Sequence, residues 1–284
     1  MKITELYKNK QGKELHDYLV SNKKELIQKK RSTPDVSEPF PHVHSYSAPN
    51  KTEQTKSVVK GLKNEDGTED KALLVKVIAN MANFMDMDDD VIVQGAYDKS
   101  IAQKGSNIPF LKDHMHKVEC IIAETRNVYT EQIELSSIGV NSDVKNSQAL
   151  IFEGLVKESY DPKIFALYND GLVKQHSIGL RYLNIDLAIN DPDYDAEFKN
   201  WEANYSKIIN KERALEKGFF WIIRELQLIE NSAVLFGSNQ LTPTLQTTQE
   251  NIEERSAVID PARKQVEPQK SISPNRKFNS NLFF

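Results

Sequence analysis

Gln175-His176-Ser177-Ile178-Gly179-Leu180 is the stretch on which the reading of this chain turns. It lies in a run, Leu172 to Ile189, rich in β-branched and aliphatic side chains, which predicts a strand. Just upstream, Asp161-Pro162-Lys163-Ile164-Phe165-Ala166-Leu167-Tyr168-Asn169-Asp170-Gly171 carries the punctuation of a short helix. Asp161 suits the cap, Pro162 the first turn, and Gly171 the left-handed position after the last turn. A serine within a strand is either an ordinary sheet residue or a nucleophile presented by a rigid scaffold. Successive strand residues point to opposite faces, so His176 is predicted to face away from Ser177. A base for Ser177 then has to come from elsewhere in the chain.

Outward from this stretch the chain reads as β-rich. Ala72 to Ala79 predicts a buried strand, Val91 to Gly95 a short one, and Ala96 to Lys104 a helix closed by Gly105. Ile108 to His114 reads as a strand that Pro109 restricts to an edge or a start. Val118 to Thr125 and Val128 to Leu135 read as a hairpin, and Leu150 to Val156 as a further strand. Asp191-Pro192-Asp193 predicts a helix start, with Phe198, Trp201, Tyr205, Ile208 and Ile209 as its apolar stripe. Gly218 to Phe236 reads as one long strand or two. Short strands with a few helices and no regular βαβ alternation predict a β-rich α+β domain over about 70–241.

The flanks differ in kind. Residues 1–69 combine a Lys-rich amphipathic helix, with Leu15, Leu19 and Leu26 on one side, and a Pro-containing linker. Residues 242–284 are polar, lack a period and read as a disordered tail ending in Leu282-Phe283-Phe284. The chain has 284 residues and a net charge of −4, which calls for no nucleic-acid partner. No stretch approaches the length of a membrane-spanning helix. A single cysteine, Cys120, excludes an internal disulfide framework and fits a reducing cytoplasm.

Several groups invite chemical readings. His42 and His44 flank one valine in the linker, an incidental pair rather than a metal site. Asp86-Met87-Asp88-Asp89-Asp90 lacks the central Gly and distal Glu of a calcium loop and reads as a solvated turn. Ser137-Ile138-Gly139 duplicates the triplet at Ser177, so the triplet alone selects neither serine. Serine hydrolysis needs a base and a group that orients it. His114 and His116 end a strand, where a side chain can project into a site, and Glu225 and Glu230 are the carboxylates of the last strand. Glu230 shares a face with Leu226 and Leu228, and a carboxylate buried there needs a partner. A cysteine hydrolase built on Cys120 would need an exposed thiol, whereas Cys120 is read as a core residue between Val118 and Ile122.

Taken in order, these segments resemble a known family. Asp90-Val91-Ile92-Val93-Gln94-Gly95-Ala96-Tyr97, Ile108 to His114, Leu150-Ile151-Phe152-Glu153-Gly154-Leu155, Leu167 through Leu180, and Leu228 to Val234 followed by Gly237-Ser238-Asn239 are similar, in sequence order, to five segments of the caudovirus prohead proteases. These are the capsid maturation peptidases of tailed phages, related in fold to herpesvirus assemblin. Met115 stands where that family usually has Asp, and Gly237-Ser238 where it has Pro-Ala. The resemblance implies a closed or partly closed antiparallel β-barrel with surrounding helices. It implies Ser177 as nucleophile, His114 as base and Glu230 as third member, with Glu225 in reserve, and no cofactor. It implies cleavage of scaffold, of the major capsid protein and of the chain itself, inside the procapsid in a bacterial host cytoplasm. A homo-oligomer is compatible with it; neither nucleic acid nor membrane is required. Residues 1–69 would include a propeptide or docking arm. The alternative is a catalytically silent capsid-assembly or scaffold-associated protein with the same fold.

Overall fold

The sixteen-residue strand β9 (Phe219–Val234) organises the molecule. Its first half, Phe219-Phe220-Trp221-Ile222-Ile223, is buried throughout and needs cover on both faces. Along one edge runs β8 (Gln175–Ile189), antiparallel from Gln175 opposite Val234 to Ile189 opposite Phe219. Two short strands share the other edge, both parallel to β9. They are β4 (Asp90–Ile92), beside Trp221–Ile223, and β5 (Phe110–Lys112), beside Asn231–Ala233. From β5 the sheet continues antiparallel through β6 (Ile121–Glu134), β7 (Asn146–Lys157), β3 (Ala72–Met81) and β10 (Thr244–Gln249). A separate short pair joins β1 (Leu62–Lys63) to β2 (Glu69–Asp70). This computed structural model describes residues 3–32, 62–63 and 69–249. The linker with His42 and His44 and the Leu282-Phe283-Phe284 tip lie outside the described residues.

The fold is α+β with a β-rich sheet, as the patterning predicts, but the sheet is mixed and open rather than a closed or partly closed antiparallel barrel. The two end strands, β8 and β10, form no ladder with each other among the described residues. Individual hydrogen bonds link their neighbourhoods instead. The His176 N–H donates to the Thr242 carbonyl at 3.2 Å, and the Thr244 hydroxyl donates to the Val173 carbonyl at 2.7 Å.

Local departures have local causes. The expected hairpin over 118–135 is one strand, β6, whose polar interruption is a bulge between Thr125 and Asn127 rather than a turn. Cys120 precedes that strand in a short 3₁₀ turn; it is buried, while Val118 is exposed, so the two share no core face. Asp191-Pro192-Asp193 is a turn closed by the Asp191 side chain on the Asp193 N–H, and helix α5 (Asp195–Tyr205) starts later. Helix α6 (Lys211–Lys217) escapes sequence reading because its seven residues bury one side chain, Ala214. Strand β10 lies in the stretch read as a disordered tail; its Thr-rich segment pairs with the edge of β3. Helices α3 (Asp98–Lys104) and α4 (Pro162–Asn169) form close to where expected, α4 with Asp161 accepting from the N–H groups of Lys163 and Ile164.

Helices α1 (Gly12–Ser21) and α2 (Lys23–Ser32) belong to the main core. Tyr7, Leu15, Leu19 and Leu26 pack into the same apolar cluster as Tyr182, Leu187 and Trp221. Lys30 is buried against Asp90 at 2.6 Å, and its ammonium lies over the rings of Tyr182 and Trp221. The two helices of the segment read as a propeptide or docking arm, α1 and α2, are therefore integrated with the sheet. Asp86 to Asp90, expected in solvent, is largely buried because cations and hydroxyls meet it. Arg213 and Lys217 pair with Asp89, Tyr182 donates to Asp90, and Ser238 donates to Asp88.

Candidate active site

Three adjacent strands, in the order β5, β9, β8, position His114, just past the end of β5, with Glu230 on β9 and Ser177 on β8. Across β8 and β9, Ser177 stands opposite Ser232 and Gly179 opposite Glu230. Directly paired residues share a face, and so do residues two apart. Ser177, Gly179, Glu230 and Ser232 therefore line one face. His176 and Ile178 line the other, with Ala233 and Asn231 opposite them.

His114 reaches this face by an unusual turn. After β5, Asp113 and His114 both adopt the left-handed conformation, with φ of 51° and 54°. For non-glycine residues this costs about 1–2 kcal/mol each. Side-chain and backbone contacts hold it. The Asp113 N–H donates to the Ala233 carbonyl at 3.0 Å, and the His114 N–H to the Ser232 hydroxyl at 3.2 Å. The His114 ring then meets Glu230, Nδ1 to Oε1 at 2.6 Å. Glu230 is fully buried, and its second oxygen accepts from the Ser232 hydroxyl at 2.6 Å.

This arrangement assigns the imidazole proton. A carboxylate accepts and does not donate, so in the neutral ring Nδ1 carries the hydrogen and Nε2 has a free lone pair. Nε2 is buried and has no hydrogen-bond partner, so the Ser177 hydroxyl does not donate to it in this structure. Such contacts commonly tighten only when substrate binds. Ser177 itself is 6% exposed.

The other candidates are occupied elsewhere. Glu225 forms a surface ion pair with Lys99 at 2.8 Å and is not brought to His114. His116 is exposed. Ser137 is exposed on a 3₁₀ turn, its hydroxyl donating to the Glu134 carbonyl. Cys120 is a buried free thiol. His176 faces away from Ser177 as predicted, fully buried, with Nε2 2.8 Å from the Tyr168 hydroxyl and Phe110 edge-on. Burial pushes its pKa down to about 4, so it is neutral at physiological pH. Among the described residues no group of three or more His, Cys, Asp or Glu side chains is placed to hold a metal ion. No helix among them is long and apolar enough to cross a membrane.

Sequence reasoning missed two members of this cluster. Gly179 lies directly under Glu230: a Cβ there would fall against Oε1 and 3.0 Å from Cγ and Cδ. Ser232 bridges Glu230 and the His114 backbone. The signal for both is strand register, which places Gly179 opposite Glu230 and Ser232 opposite Ser177. Among family models, curated proteins and solved structures, none matches this chain.

Proposed function

We propose that the chain is a serine endopeptidase of the prohead kind, with Ser177 as nucleophile, His114 as base and Glu230 as the carboxylate that orients it. The observation that carries the reading is the buried His114–Glu230 pair at 2.6 Å, on the same sheet face as Ser177 and with Nε2 left unpartnered. In this mechanism the Ser177 oxygen attacks the peptide carbonyl and its proton passes to Nε2 of His114. His114 then protonates the departing amine, and Glu230 stabilises the imidazolium through Nδ1 throughout. Water repeats the sequence to release the acyl group. None of these steps draws on a cofactor.

The proposed substrates are the major capsid protein, the scaffold and the chain itself, cut inside the procapsid in a bacterial host cytoplasm. The order of the five sequence segments supports this choice. The second reading, a catalytically silent capsid-assembly protein with this fold, draws on the absence of a Ser177–His114 hydrogen bond. Co-expression with the capsid protein, wild type against Ser177→Ala, separates the two. The expected outcome is capsid-protein shortening that disappears in the variant, a loss of at least about 10³-fold in rate. Shortening that survives Ser177→Ala rejects the assignment, and its absence from both chains favours the silent protein.

A further inference from the structure

Glu230 is fully buried and His114 satisfies one of its two oxygens. The other oxygen is held by Ser232, and the direction of that bond can be deduced. The His114 backbone N–H can only donate, so the Ser232 oxygen accepts from it at 3.2 Å. The carboxylate can only accept, so the single Ser232 hydrogen goes to Oε2 at 2.6 Å. This hydroxyl thus has its donor and one of its acceptor positions committed, and it is itself fully buried. It ties the strained His114 turn to the carboxylate that the His114 ring also contacts. Gly179 lies against the same carboxylate, where an added Cβ would come within 3.0 Å of Glu230 Cγ and Cδ.

We propose that Ser232 is a positioning residue of the site: its hydroxyl fixes the Glu230 carboxylate and the His114 backbone to each other, and so sets the plane of the imidazole. The inference rests on the peptidase reading for its catalytic consequence, but not for its geometric one. Without the hydroxyl, Oε2 loses its donor, the carboxylate is free to turn about its last torsion, and the His114 N–H loses its acceptor. The imidazole then samples orientations that do not serve Ser177. Ground-state binding of a peptide is untouched, because Ser232 is fully buried and offers a peptide no surface.

Two readouts on the full chain test this. The first is the proton resonance of the His114 Nδ1–H, which a short bond to a carboxylate carries far downfield, recorded without substrate. It is expected in the wild type, absent in Glu230→Gln, and shifted upfield and broadened in Ser232→Ala. The second is cleavage of capsid protein. Ser232→Ala is expected to lower kcat roughly ten- to hundredfold, as for outer partners of a ligating imidazole, with KM changed by less than about twofold. If Ser232→Ala does not fold, Ser232→Cys takes its place, since it fills the site and donates only weakly. A resonance and kcat that both stay at wild-type values in the folded variant overturn the proposal. A resonance that shifts while no variant, wild type included, cleaves anything leaves the positioning role standing and overturns the peptidase reading instead.

Discussion

At Gly179 the absence of a side chain is a steric requirement set by one neighbour. A methyl group there would press on the Glu230 carboxylate, which is fully buried and pinned at both oxygens. Gly179→Ala is therefore expected to destabilise the chain by about 1–3 kcal/mol in urea unfolding and to impair the proposed peptidase activity more than its stability loss explains. His176 gives a second prediction. Its folded pKa, about 4, lies below its unfolded value of 6.5, so between these pH values the unfolded chain takes up a proton that the folded chain refuses. Stability should fall as pH drops from about 6.5 to 4, by up to about 3 kcal/mol from this residue. His176→Gln should flatten that part of the stability–pH curve measured by denaturant titration; an unchanged slope would show that another group governs it. The alternation of strand faces was enough to separate His176 from Ser177 in sequence. It was not enough to find Ser232 or Gly179, whose meaning depends on which residue lies opposite, and register is a tertiary property.

The elements were legible where their patterns are strong. Strands β3 and β7 and the Asp161-capped helix α4 follow from apolar runs and capping residues in the sequence itself. Strand β6 misled because a bulge and a turn use the same polar residues, here Glu124-Thr125-Arg126-Asn127. The acidic stretch Asp86 to Asp90 misled more deeply, since five residues rich in carboxylate read as solvated unless their cations are known. Those cations come from far along the chain: Lys30 on α2, and Arg213 and Lys217 on α6. Lys30 is the element-scale test. Replacing it with Met removes the ammonium facing the buried Asp90 carboxylate and should cost about 3–5 kcal/mol. The check is the shift in urea midpoint, and a loss below about 1 kcal/mol would mean that Asp90 is stabilised without it.

For the molecule as a whole, α1 and α2 are the part that composition describes least well. A Lys-rich segment ahead of a Pro-containing linker suggests an appendage, yet Leu15, Leu19 and Leu26 are buried with the sheet. Burying three leucines is worth about 5–9 kcal/mol, comparable with the entire stability of an ordinary domain. A chain lacking residues 1–32 is expected to show no cooperative thermal unfolding; a transition within a few degrees of the intact protein would show that the helices are detachable. The strand order β5, β9, β8 has a further consequence, for the time course of synthesis. His114 and Glu230 are 116 residues apart, and the strand that joins β5 to β8 is the one carrying Glu230. A chain still emerging from the ribosome already contains the serine and the histidine, but nothing yet holds them beside each other. The His114–Glu230 contact beside Ser177 comes into being only when nearly all of the described chain has been made, so the proposed site is not assembled in a nascent copy.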